Sequence, residues 1–142
     1  MKSLAAVEGL LIVGMAAIAA TMFIQIPKEM EQLTKLTALS SATSVAKDIS
    51  GLIITSAASP AISPENISIL YKLPEEASYT VYIDNYDVKV TATFKETEVK
   101  IENAIEKIPF KINPKEMVDV KILEINKTIE NGKNRYEVNK YA

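Results

Sequence analysis

The residue whose type and setting most clearly imply chemistry is Glu8. It is the only charge in the apolar run LAAVEGLLIVGMAAIAATMFIQI, residues 4–26. A carboxylate near the centre of a membrane helix costs about 2.5–3.5 kcal/mol. Close to the helix N-terminus, the positive end of the helix dipole offsets part of that. Two readings of Glu8 follow. A cation supplied from outside the segment, such as the free α-amino group at the start of a neighbouring helix, would neutralise it. Otherwise the run sits so that Glu8, four residues inside it, reaches water at headgroup depth.

Few other side chains offer chemistry. The chain has no histidine and no cysteine. That excludes a Ser-His-Asp triad, thiolate or imidazole metal sites, and disulfides. Asp84, Asn85 and Asp87 are oxygen donors of the kind hard cations prefer, but the glycine and distal bidentate Glu of an EF-hand loop are missing, and a solvated turn is the simpler reading. Glu75 and Glu76 are adjacent surface carboxylates. Tyr71, Tyr79, Tyr82, Tyr86, Tyr136 and Tyr141 fit cross-strand packing as well as a sticky face. With a net charge of −2 and both signs interspersed, no basic stripe points to nucleic acid. Nothing implies an enzyme or a cofactor. Asn66-Ile67-Ser68 and Asn126-Lys127-Thr128 match the N-glycosylation sequon, which makes Asn66 and Asn126 candidate glycan acceptors if the protein is exported.

The elements that hold these residues fall into two parts. At ~1.5 Å per residue, residues 4–26 make a helix of about 34 Å, long enough to cross a bilayer core. Pro27 follows, yet the helical pattern continues, so Pro27 is expected to kink the helix rather than end it. Beyond it, Met30, Leu33, Leu36, Val45, Ile49, Leu52 and Ile53 recur at spacings of three and four. They predict one apolar face, with Glu31, Lys35, Ser41, Lys47 and Asp48 opposite it. Pro60 and Pro64 mark the end of the helix, and SPAISPEN reads as a loop.

The period then changes to alternation. Tyr79, Val81 and Ile83 predict a strand, Asp84-Asn85-Tyr86 a turn, and Val88, Val90, Ala92 and Phe94 a second strand. Lys95-Glu96-Thr97 reads as another turn, before Val99 and Ile101. Val118, Val120 and Ile122 open a further strand, with Leu123 and Ile125 out of phase, as a bulge would make them. Asn131-Gly132 is a turn signal ahead of Tyr136 and Val138. The expectation is one antiparallel sheet of four to six strands, with the amphipathic half of the helix lying on its apolar face. The apolar first half has no partner in its own chain and must be covered by lipid or by other copies.

The residues around Glu8 resemble the type IV pilins, in particular archaeal proteins with the class III signal peptide. In that family a short leader ends in a small residue preceded by a positive charge, and the mature helix carries Glu as its fifth residue. Here Lys2-Ser3 precede Leu4, and Glu8 is fifth counting from Leu4. The segment SYTVYIDNYDVKVTATF and the later IPFKI resemble the family's sheet domains. The leader of three residues is shorter than usual, and Leu4 and Ala6 stand where the archaeal pattern often has Gln and Ser.

The resemblance implies an α+β fold. It divides the chain into a leader at 1–3, cut between Ser3 and Leu4, an apolar transmembrane or filament-core helix at 4–27, an amphipathic helix at 28–59, and a β domain at 60–142. It implies a structural subunit of a surface pilus, inserted in the membrane before assembly. Its partners would be further copies of itself, a leader peptidase and the pilus assembly machinery. Leu4 and Glu8 would serve assembly, as would Pro27. Gly9 and Gly14 would permit close helix approach, although for these positions alone ordinary membrane-helix composition is the better reading. Competing expectations are a flagellin-like filament subunit, a β-domain binding module on a single-pass anchor, and a secretory signal peptide cut near Ala17-Ile18-Ala19.

Overall fold

The fold is α+β: one long N-terminal helix followed by antiparallel strands. The computed structural model describes residues 2–58, 67–94 and 104–141, with the side chains of the helix taken from Glu8 onward. Residues 59–66, where a loop was expected and which include Asn66, and the segment holding Lys95-Glu96-Thr97, Val99 and Ile101, lie outside the described residues, as do Met1 and the side chains of Ser3 and Leu4.

Helix α1 runs Lys2–Ala58 and passes through Pro27 without ending. It stops two residues ahead of Pro60, as the steric restriction on the residue before a proline favours. The chain divides into two compact units, Met1–Thr34 and Lys35–Ala142.

The second unit holds the hydrophobic core. From the helix, Ala38, Ala42, Val45, Ala46, Ile49 and Ile53 are buried. All but Ala38 pack with Tyr79, Val81, Ile83, Val88 and Val90 of β2 (Ala77–Phe94) and with Leu123 and Ile125 of β4 (Ile122–Glu130). Of the face expected, Val45, Ile49 and Ile53 are buried and Leu52 is partly covered, but its first three residues are not. Met30, Leu33 and Leu36 are each more than 60% exposed, and alanines take the covered positions.

Five strands are found among the described residues, in two sheets rather than one. β1 (Ile67–Lys72), β4 and β5 (Lys133–Tyr141) form a sheet in the order β1-β4-β5; β2 and β3 (Ala104–Val120) form a two-stranded sheet. All pairings are antiparallel.

The expected turn at Asp84-Asn85-Tyr86 is instead an irregularity inside the single strand β2. Asn85 adopts φ 55°, and β2 stays paired with β3 on both sides, Ile83 with Lys115 and Asp87 with Lys107. β3 carries the extra residues at this point. They include Pro109 and Pro114, which cannot donate to a ladder and therefore fall between paired positions. The buried positions of β2 shift phase here, from Tyr79, Val81, Ile83 to Val88, Val90, Ala92, so both halves face the core.

The phase change after Val120 is likewise not a bulge within one strand. β3 ends at Val120, Lys121 bends, and β4 begins at Ile122 in the other sheet. Asp119 takes φ 52° just before the crossing and accepts a hydrogen bond from Ser78 at 2.9 Å. The Asn131-Gly132 turn is as expected: φ values of 54° and 74° are those of the two-residue type I′ hairpin.

Candidate functional site

Two regions carry the residues singled out from the sequence. The first is the N-terminal unit. From Glu8 to Leu33 its side chains are exposed, including Leu10 at 79% and Phe23 at 81%. The apolar stretch is long enough to span a membrane, and none of it is buried within the chain. Two of its hydroxyls are satisfied within the helix. The Thr21 hydroxyl donates to the Ala17 carbonyl at 2.7 Å and that of Thr34 to Met30 at 2.8 Å, so neither hydroxyl needs water. Glu8 is exposed on this helix. At Gly9 and at Gly14 an added Cβ would meet nothing within 4 Å. A glycine in a helix interior costs about 1 kcal/mol relative to alanine. No crowding inside the chain offsets that cost here, so any need for these two glycines comes from outside it.

The second region is the surface of the sheet domain. Asp84 and Asn85 are brought together with Lys89: the Lys89 ammonium lies 2.8 Å from Asp84 Oδ2, and Asn85 Nδ2 donates to Asp84 Oδ1 at 3.2 Å. The hydrogen bond from Lys89 holds the Asp84 carboxyl below the usual carboxylate range, and the same bond raises Lys89. A lysine therefore occupies the position a cation would take. Among the described residues no cluster of three or more His, Cys, Asp or Glu is placed to hold a metal ion.

The sequon residue Asn126 lies half-buried in β4, the middle strand of its sheet, opposite Ser68 on one side and Glu137 on the other. Its side chain is on the face away from Leu123, Ile125 and Lys127. Glu75 forms an exposed ion pair with Lys72 at 2.6 Å, which raises the Lys72 ammonium.

The tyrosines are divided by the fold. Tyr79 is fully buried and its hydroxyl shares a 2.6 Å hydrogen bond with Ser41, a residue expected on the wet face of the helix. Tyr136 stacks on Phe110, with ring centroids 4.4 Å apart. The Tyr71 hydroxyl donates to Asp48 Oδ2 at 2.8 Å, across the junction of β1 and the helix. Burial and the neighbouring Asp48 push the Tyr71 phenol above its usual range, which keeps it a fixed neutral donor.

Sequence reasoning missed the surroundings of this last pair. Thr37, Ser40 and Ser44 follow one another at helical spacing toward Asp48, and with Tyr71, Pro74 and Glu76 they line an open groove of about 580 Å³. The run of hydroxyls at spacings of three and four was the available signal. Weighing only large apolar residues concealed it.

The chain matches no family model, no curated protein and no solved structure.

Proposed function

We propose that this chain is the structural subunit of an extracellular filament of the archaeal type IV pilin kind, inserted in the membrane first and polymerising afterwards through its N-terminal helix. One observation carries the reading. Ten large apolar side chains between Leu10 and Ile26 stand uncovered on a helix whose later turns pack in a buried core. Exposed surface of that size has to be removed from water by lipid, by other copies, or by each in turn. Identical subunits contacting one another head to tail form an open polymer rather than a closed ring.

Glu8 is assigned the register of assembly. Lipid and a filament core are both apolar, so the transfer between them offers little driving force per residue. A carboxylate paired with the α-amino group of a neighbouring helix supplies a specific contact that lipid cannot. Gly9 and Gly14 support the reading, since each leaves open space for a helix to approach.

The test is Glu8→Ala, followed by electron microscopy of surface fibres and N-terminal sequencing of the purified subunit. Membrane-bound subunits with few or no fibres are expected. Normal fibre yield would remove the role of Glu8, and a full-length chain that is a soluble monomer without detergent would overturn the proposal. A membrane-tethered binding module is the second reading, favoured by the polar groove beside Tyr71. It differs in giving only detergent-dispersed monomers and no fibres.

A further inference from the structure

We infer that the groove between the helix and the β1–β2 connection is a binding site for a neutral sugar. The chemistry of its lining selects that class. Ser40, Ser44 and Asp48 fall at successive spacings of four on one side of the helix, so their polar groups form a line along the groove. Glu76 provides a second carboxylate from the other wall. No lysine or arginine among the described residues lines the groove, and its two charges are both negative. An anionic ligand would meet only repulsion there.

A metal ion is also a poor fit. Asp48 already accepts the Tyr71 hydroxyl at 2.8 Å, and the carboxylates are too few for the six to eight oxygens that calcium takes. The remaining surface is mixed. Leu36 and Pro74 are exposed apolar groups, and the half-buried Tyr71 is held by its bond to Asp48. A pyranose matches this mixture, because its C–H face packs on apolar and aromatic surface while its hydroxyls donate to carboxylates and exchange hydrogen bonds with serine. The openness of the groove to solvent fits weak binding of one sugar unit, strengthened when many copies are displayed together.

The inference does not depend on polymerisation, and its test is made on monomers. The full-length chain would be held in a phosphocholine detergent, which carries no sugar headgroup. Saturation-transfer NMR would be run with the methyl glycosides of glucose, galactose, mannose and N-acetylglucosamine, with glucuronate and methylammonium as charged comparators. At least one neutral glycoside is expected to bind with millimolar affinity, and glucuronate at least tenfold more weakly. Asp48→Asn should weaken glycoside binding at least tenfold. Ser44→Trp, which fills the groove from an exposed helix position, should abolish it with the circular dichroism unchanged. The inference is overturned if no neutral glycoside receives saturation, if Ser44→Trp leaves the transfer intact, or if either charged comparator binds more tightly than the glycosides. Fibre loss in Glu8→Ala would not alter these outcomes, so the two proposals fail separately.

Discussion

The Nζ of Lys127 donates a 3.1 Å hydrogen bond to the carbonyl oxygen of Ser56, so a buried ammonium from the central strand of one sheet closes the last turn of the long helix. Helix α1 ends at Ala58, and its final carbonyls have no partner further along the helix. The negative end of the dipole lies there too. Two effects compete at Lys127. Burying an ammonium is costly, and the contact with the helix end offsets that cost. Removing only the donor leaves the buried carbonyl behind, at about 1–3 kcal/mol. Lys127→Met is therefore expected to destabilise the domain by about that amount in urea unfolding followed by tyrosine fluorescence. Equal or greater stability would mean that the desolvation cost dominates.

The covered face of the helix makes a second prediction through a pair of substitutions. Ile49 is fully buried, and truncating such a residue costs about 2–5 kcal/mol. Leu36 is 63% exposed, and its truncation is expected to stay within about 0.5 kcal/mol. Urea midpoints of Ile49→Ala and Leu36→Ala measure the difference. The face marked by Met30, Leu33 and Leu36 in the sequence predicts comparable losses at both sites, so similar midpoints would argue against the packing described.

Those two residues also show how far the sequence was legible. The helical period was plain from Met30 to Ile53 and marked Val45, Ile49 and Ile53 correctly, but periodicity does not report where along the helix the cover begins. Ala38, Ala42 and Ala46 carry little weight on a hydrophobicity count, yet all three are fully buried. In the sheets, alternation located the buried residues of β2 correctly. A change of phase, however, looks alike whether a strand bulges, as at Asn85, or leaves one sheet for another, as at Lys121. β1 went unseen because its burial alternates only between half-buried and exposed. Of the groove beside Tyr71 only the helix wall was legible, in its hydroxyls at spacings of three and four; its meeting with residues beyond Leu70 is recorded by no local pattern.

The β4–β5 hairpin isolates the contribution of one glycine. Gly132 has φ 74°, and nothing lies within 4 Å of an added Cβ. Steric contact with the surroundings is thus removed from the comparison, leaving backbone conformation alone. A left-handed residue other than glycine costs roughly 1–2 kcal/mol. Gly132→Ala is expected to lose about 1 kcal/mol, and Asn131→Gly to lose little or nothing, since asparagine and glycine both tolerate its φ of 54°. Denaturant midpoints for the two variants check this, and an unaffected Gly132→Ala would show that the hairpin relaxes to another turn.

Asp84 and Lys89 stand on either side of the irregularity in β2, and their pairing gives acid stability a defined sign. The Asp84 carboxyl is held below its ordinary value by the hydrogen bond from Lys89. A depressed carboxyl stabilises the fold at pH above the unfolded value of about 3.9, and the contribution is lost as pH falls through the lower folded value. Removing the ammonium with Lys89→Met should therefore lower the melting temperature at pH 7, and the gap from the wild type should narrow at pH 2. It should not close completely, because the Lys89 ammonium also lies 5.4 Å from the Tyr82 ring centroid, a contact that protonation of Asp84 leaves in place. Melting both proteins at pH 7 and pH 2, in low salt, measures the two contributions separately. A gap independent of pH would assign the stabilisation to the ring contact and to packing of the lysine stem, and would show that the ion pair contributes nothing to holding the two halves of β2 in line.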